Sequence, residues 1–259
     1  MTAADDEPAS DVLAIDDGGT VRYGEAPQQF AELAIPDPWW FGHGPHPVIV
    51  FIHGGFWRNA YDLSLADPQA ADARGKGYAT WNIEYRRVGD PGGGYPATLD
   101  DVAAAIDALA RVDAPLDLER VAVVGHSAGG HLALWVGQRD DPVVIPKLVV
   151  GQAPVADLGA SIGLSSGAVV DLMGGTPDDI PEAYDRADPA RRLPIKVPQL
   201  ILQGDADDIV PAALVTPYAD RSGADIIVFD SVDHFDVIDP ANRSWGAALR
   251  AIDAAFSSG

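Results

Sequence analysis

The chain has 259 residues, 47% of them hydrophobic, and a formal net charge of −22. A chain of this length can bury one large core, and its charge opposes binding to nucleic acid or an anionic membrane surface, both of which reward Lys and Arg. With no cysteine there is no disulfide framework, thiol nucleophile or cysteine metal site, so any covalent chemistry must use another residue. The opening Met1-Thr2-Ala3-Ala4-Asp5-Asp6-Glu7 lacks the basic start and apolar core of a secretory signal, and no run approaches the roughly 18 apolar residues of a membrane span. A soluble, cytoplasmic protein is expected.

Residues 1–12 are small, acidic and proline-containing, which suits a solvated tail. Two short strands are expected over Thr20–Gly24 and Gln29–Ile35, pairing antiparallel at one edge of a sheet. Pro47–His53, PVIVFIH, is a continuous apolar, β-branched run of the kind buried on both faces. An alternation follows: strand Tyr78–Tyr85, helix Thr98–Val112, strand Arg120–Gly125, helix Ala128–Arg139, strands Pro146–Gln152 and Gln199–Gln203, helix Pro211–Arg221, strand Asp225–Phe229 and helix Ala241–Phe256. Strand–helix alternation at this spacing implies an α/β domain: a mostly parallel central sheet with helices on both faces. Pro154–Pro194 interrupts it, with glycine, serine and proline turns, a helix near Ala168–Met173 and no strand-like run. A segment this long between core strands is usually functional, so it is expected to be an insertion or short cap over the carboxyl edge of the sheet. The whole chain, 1–259, then reads as a single domain.

Gly125-His126-Ser127-Ala128-Gly129-Gly130 follows the apolar run before it directly. G-x-S-x-G after a strand marks a strained turn that lifts a serine Oγ above a parallel sheet, although three fixed positions also recur by chance. Three further motifs raise its weight. His53-Gly54-Gly55-Phe56-Trp57 follows the buried strand, where glycines let backbone N–H groups approach the oxyanion of a tetrahedral intermediate. Gly55, Phe56 and Ala128 are the candidate donors. Gln203-Gly204-Asp205-Ala206-Asp207-Asp208-Ile209-Val210-Pro211 closes a later strand, and its Gly-x-x-Asp-x-x-Val-Pro spacing favours Asp207 as the carboxylate that orients a base, with Asp205 and Asp208 as turn or solvated acids. Asp233-His234-Phe235 follows the last strand and offers His234 as that base. Ser127, Asp207 and His234 each fall at the carboxyl end of a predicted parallel strand, where open α/β sheets place their sites.

From about Val21 to Phe256 the chain resembles the α/β-hydrolase fold, in which the triad runs Ser…Asp…His. Within that superfamily HGGFW is similar to the HGGxW signature of serine-type kynurenine formamidases and their esterase relatives. Tyr23-Gly24, Tyr85-Arg86, Tyr95-Pro96, Ala156-Asp157-Leu158 and His234-Phe235 followed by Ile238 agree with that group. The resemblance implies hydrolysis of an aryl formamide, N-formyl-kynurenine, to kynurenine and formate without a metal. Two positions depart from the pattern: Gln203 stands where a histidine usually opens the acid loop, and Asp188-Pro189 stands where Ser-Pro is common. These departures leave the substrate open, because a serine enzyme attacks esters and activated amides through one geometry.

Other residues weigh against this background. Trp57, with Phe56, reads either as a wall for an aryl substrate or as core packing, whereas Trp39 and Trp40 read as core. His126 reads as structural, because a base must come from a separate loop. His43, His46 and His53 lack metal-ligand spacing, Asp205–Asp208 lacks a calcium-loop pattern, and no metal or cofactor is expected. Arg86 and Arg87 read as solvated edge residues.

The expected protein is a metal-independent serine hydrolase acting on a small-molecule acyl substrate, either an aryl formamide or a small or aryl ester. Expected roles are Ser127 as nucleophile, His234 as base, Asp207 as its orienting acid, Gly55, Phe56 and Ala128 as oxyanion donors, and Trp57 against the substrate. A carboxylesterase of specialised metabolism is the alternative, and a non-catalytic binding protein on the same fold is the rival from another class. Neither nucleic acid nor membrane is expected as a partner, and oligomeric state is left open, a homodimer included.

Overall fold

The computed structural model describes residues 12–258, so the tail expected over 1–12 lies outside the described residues except for Val12. Eight strands form one sheet: β1 Thr20–Arg22, β2 Phe30–Ala34, β3 His46–Ile52, β4 Ala79–Ile83, β5 Leu116–His126, β6 Leu148–Gln152, β7 Gln199–Gly204 and β8 Asp225–Phe229. Their spatial order is β1-β2-β4-β3-β5-β6-β7-β8. The β1–β2 and β2–β4 pairs are antiparallel and all others are parallel. This is the mostly parallel α/β architecture expected from the alternation, with the two weak N-terminal strands at its antiparallel edge.

The apolar runs are explained by burial on both faces. Val48, Val50 and Ile52 of β3 and Val121 and Val123 of β5 point into one core, which also receives α3 (Ala97–Asp107) and α4 (Ala128–Val136). Their sequence neighbours Ile49, Phe51, Ala122 and Val124 point into a second core, closed by α2 (Asp67–Arg74) and α8 (Arg243–Ser257). A strand with no solvated face has no need of polar alternation.

Four further α-helices complete the described set: α1 Pro38–Phe41, α5 Ala168–Met173, α6 Pro181–Ala187 and α7 Ala212–Ser222. Helices α1, α2 and α6 fall where no helix is expected from sequence. Helix α2 buries only Gln69, Ala70 and Ala73, too small an apolar stripe to stand out. Trp39 and Trp40 correct a second expectation. Instead of joining the core they sit on α1, 84% and 75% exposed.

Between β6 and β7 the described structure is helical and irregular, and α4 ties down its C-terminal part. His131 donates Nε2–H to the Ala187 carbonyl (2.9 Å), Trp135 donates to the Arg186 carbonyl (2.9 Å), and Gln138 donates to the Pro189 carbonyl (3.2 Å). The helix that starts at the serine turn, with Gln138 just beyond it, therefore also anchors this segment.

Candidate active site

Strand β5 runs into Ser127, and α4 begins at the next residue. Ser127 holds φ 56° and ψ −117°, a left-handed conformation that a non-glycine residue keeps only when its surroundings over-determine it. They do: the Ser127 N–H donates to the Gln152 carbonyl (2.8 Å), and the Ser127 carbonyl accepts from His131 (3.0 Å) and Val155 (3.2 Å). The flanking glycines are steric requirements. A Cβ on Gly125 would lie 2.1 Å from the Gly129 carbonyl oxygen, and one on Gly129 would lie 2.1 Å from that of Ile52. Ala128 is the first residue of α4, where N–H groups have no intrahelical acceptor and the helix dipole favours negative charge.

The acid and histidine loops meet beside this turn. His234 Nδ1 lies 2.7 Å from Asp207 Oδ2, and both side chains are almost wholly buried. Because a carboxylate only accepts, Nδ1 carries a proton and leaves Nε2 as the ring nitrogen turned away from Asp207. Burial alone would raise the Asp207 carboxyl, but the bonds from His234 and from the Val210 and Ile209 N–H groups hold it below its ordinary value. Gln203, the departure from the family pattern, donates to the same Asp207 Oδ2 at 3.2 Å. Asp205 and Asp208 are exposed, and Asp205 instead accepts the Ser231 N–H at 2.7 Å.

His126 joins the serine turn to the histidine loop. Its Nε2–H donates to the His234 carbonyl at 2.9 Å, and the two rings lie 4.6 Å apart between centroids. Burial, and then the neighbouring His234, push the His126 pKa down to about 3, so it stays neutral.

The glycine motif lies directly against the serine. A Cβ on Gly54 would sit 3.1 Å from Ser127 Cβ. Gly55, Phe56 and Trp57 follow with three successive positive φ angles, 111°, 51° and 56°. Arg58, next in sequence, reaches across to the segment between β6 and β7, donating to Ser165 Oγ (3.2 Å), the Ser165 carbonyl (3.0 Å) and Asp171 Oδ2 (2.9 Å).

Trp57 is fully buried, edge-on to His131 at 5.3 Å, and its indole N–H finds no hydrogen-bond partner among the described residues. It sits in the core and presents no surface to a ligand in this conformation. Two exposed rings that were not expected to flank the site lie against its motifs. Tyr61 packs against Gly55, so that a Cβ there would be 2.7 Å from its ring, and Phe235 stands edge-on to His234 at 5.4 Å. Nothing in the polar stretch Arg58-Asn59-Ala60-Tyr61-Asp62 signals that Tyr61 folds back onto the motif. Arg86 and Arg87 also correct an expectation, since neither is simply solvated. Arg86 grips Asp101 of α3 through two bonds, and Arg87 is buried between Glu84 and Asp90. Among the described residues no group of three or more His, Cys, Asp or Glu side chains is arranged to hold a metal ion.

The BD-FAE family profile matches residues 41–216, from the last residue of α1 into the first half of α7 and therefore across the glycine motif, the serine turn and the acid loop. The chain belongs to the BD-FAE family. Beyond this BD-FAE match, it is 37% identical over 93 residues to a kynurenine formamidase of Meyerozyma guilliermondii, covering 36% of this chain and 34% of the relative. It is 38% identical over 106 residues to the carboxylesterase NlhH of Mycobacterium tuberculosis, covering 40% and 32% respectively. The aligned region thus spans about a third of the length of these two relatives. Among solved structures, a truncated carbohydrate esterase from gut microbiota superposes with a TM-score of 0.79 at 19% identity, covering 97% of this chain and 99% of that one. Esterase B from Lactobacillus rhamnosis, inhibited by a phosphonate, superposes with a TM-score of 0.73 at 21% identity, covering 91% and 84%. At these identities the likeness shows the fold, and this BD-FAE member has the α/β-hydrolase fold.

Proposed function

We propose that the protein is a metal-independent serine hydrolase that cleaves an aryl formamide or a small acyl ester through an acyl-enzyme. The observation that carries this reading is the buried 2.7 Å contact between His234 and Asp207, held by His126 next to a strained Ser127. In this mechanism His234 Nε2 takes the Ser127 Oγ proton as Oγ attacks the substrate carbonyl, and Asp207 stabilises the imidazolium that forms. The N–H groups of Gly55, Phe56 and Ala128 hold the oxyanion. His234 then gives its proton to the departing amine or alcohol, and water, deprotonated by the same histidine, releases the acid.

The formamidase reading rests on the HGGFW motif and on the similarity to kynurenine formamidase; the similarity to NlhH supports the ester reading equally. The chain acts in this view as one domain, with residues 154–194 as a short cap over the site. Arg58 joins that cap to the glycine motif.

The test is direct. Wild-type protein is expected to label with a serine-reactive phosphonate and to turn over N-formyl-kynurenine or short-chain aryl esters, whereas Ser127→Ala does neither. Ester turnover without deformylation would select the esterase. Absence of phosphonate labelling in well-folded wild type would instead indicate a binding protein.

A further inference from the structure

The parallel register of β3 and β4 pairs Ile52 with Ile83, so the next residues, His53 and Glu84, emerge side by side from the carboxyl edge of the sheet. Both are buried, and His53 Nε2 lies 3.0 Å from Glu84 Oε1. The other ring nitrogen of His53, Nδ1, lies 2.8 Å from the Gly54 carbonyl oxygen. A carbonyl oxygen and a carboxylate both only accept, so with a proton on each ring nitrogen Nε2 donates to Glu84 while Nδ1 clamps that carbonyl.

The clamped group is half of a peptide unit. The C=O of Gly54 and the N–H of Gly55 share one planar trans peptide and point in opposite directions. Holding the carbonyl therefore aims the Gly55 N–H.

Glu84 is itself held. Its Oε1 also accepts the Tyr85 N–H (2.8 Å), and its Oε2 accepts the Leu63 N–H (3.1 Å) and lies 3.3 Å from Arg87 Nη1. Residues 85–88 then fasten the rest of the loop. Tyr85 stacks on His53 at 4.5 Å and donates its hydroxyl to the His53 carbonyl (2.8 Å), and Val88 donates to the Trp57 carbonyl (2.7 Å). Three successive positive φ angles need such a template.

We infer that Glu84 is a positioning residue: acting through His53 and its clamp on the Gly54 carbonyl, it aims the Gly55 N–H at the oxyanion of the reacting acyl group. This rests on the serine-hydrolase reading above.

Four variants of the full chain test it: Glu84→Leu, Glu84→Gln, His53→Gln and His53→Asn. Each is measured for kcat and KM on a short-chain aryl ester and for affinity towards a reversible alkyl boronate, whose tetrahedral adduct places oxygen in the oxyanion position. Circular dichroism and Tm report folding. An asparagine amide nitrogen can stand where His53 Nδ1 stands and keep the clamp, whereas a glutamine amide reaches Glu84 and loses it. Glu84→Gln can keep its carbonyl oxygen towards His53 and Tyr85.

Glu84→Leu and His53→Gln are expected to lower kcat/KM by about 10- to 100-fold, somewhat less than outright loss of an oxyanion donor. The loss falls in kcat, with boronate affinity dropping in proportion. Glu84→Gln recovers most of it, and His53→Asn, which keeps the clamp without the contact to Glu84, recovers part. A folded Glu84→Leu with wild-type kcat and boronate affinity overturns the inference, as does His53→Asn falling as far as His53→Gln. If Glu84→Leu does not fold, the two His53 variants decide. Ser127→Ala separates the two levels: if it retains turnover, the serine mechanism itself fails, whereas an inactive Ser127→Ala beside unaffected Glu84 and His53 variants removes only the role given to Glu84.

Discussion

His126 donates its Nε2–H to the backbone carbonyl of His234 across 2.9 Å of buried space, which links the residue before the candidate nucleophile to the candidate base itself. The ring that makes this link is neutral, because burial and the adjacent His234 push its pKa down to about 3. His126→Phe keeps a ring of similar size but leaves the His234 carbonyl without its donor, a loss of about 1–2 kcal/mol for a buried group. Activity on an aryl ester is expected to fall about tenfold in kcat/KM, with the acid limb of the pH profile unmoved. A shifted acid limb would mean that His126 itself titrates during turnover.

Asp207 and Asp205 offer a matched comparison two residues apart. Only Asp207 touches His234, while Asp205 accepts a backbone N–H from the same loop. Asp207→Asn is expected to reduce kcat by about a thousandfold or more, since an amide permits the wrong imidazole tautomer. Asp205→Asn should cost less than about tenfold. Steady-state kinetics of the two purified variants would show the ranking, and the opposite order would reassign the acid.

Acid stability should carry the signature of two of the buried histidines, His126 and His131. Burial lowers His131 to about 4, opposed by its bond to the Ala187 carbonyl, and lowers His126 to about 3. In the unfolded chain both titrate near 6.5, so below that pH the unfolded state binds more protons and stability falls as pH drops towards 4 and 3. Asp188 works the other way. Burial and then the Asp157 charge raise it to about 6, so the folded state binds its proton first and gains stability as pH falls from 6 to 3.8. Urea midpoints measured from pH 7 to pH 4 should therefore decline less steeply in His131→Asn than in wild type. They should decline more steeply in Asp188→Asn.

Gly129→Ala tests the floor of the site. The added methyl would lie 2.1 Å from the Ile52 carbonyl and 2.4 Å from that of His53, both backbone atoms with no room to yield. Expected results are a loss of several kcal/mol, at or beyond the upper end for overpacking, and failure to label with phosphonate. A soluble Gly129→Ala with wild-type labelling would mean that the turn can widen.

The elements most legible in sequence are those that physics makes local. PVIVFIH reads as a two-faced buried strand because both of its neighbours are strands, and Ala168–Met173 reads as a helix because its apolar spacing and flanking glycines suffice. What was not legible depends on distant partners. Helix α2 carries only a short alanine stripe, and packing on β3 and β4 defines it. Trp39 and Trp40 look like core by composition, yet α1 is four residues long and buries none of them. In the site, Ser127, Asp207 and His234 stood out through motif and order, and the structure brings Asp207 and His234 into contact. Glu84, Arg87 and Tyr61 carried no motif, because their importance arises only when β3 and β4 lie side by side.

The glycines under Ser127 also set a limit on redesign. With Gly125 and Gly129 pressed against backbone oxygens, the serine turn has no room for a larger residue at either position. In the hydrolase reading proposed above, a change in acyl or aryl preference then has to come from residues around the turn: Phe56, Tyr61 against Gly55, Phe235 beside His234, and the segment that Arg58 holds.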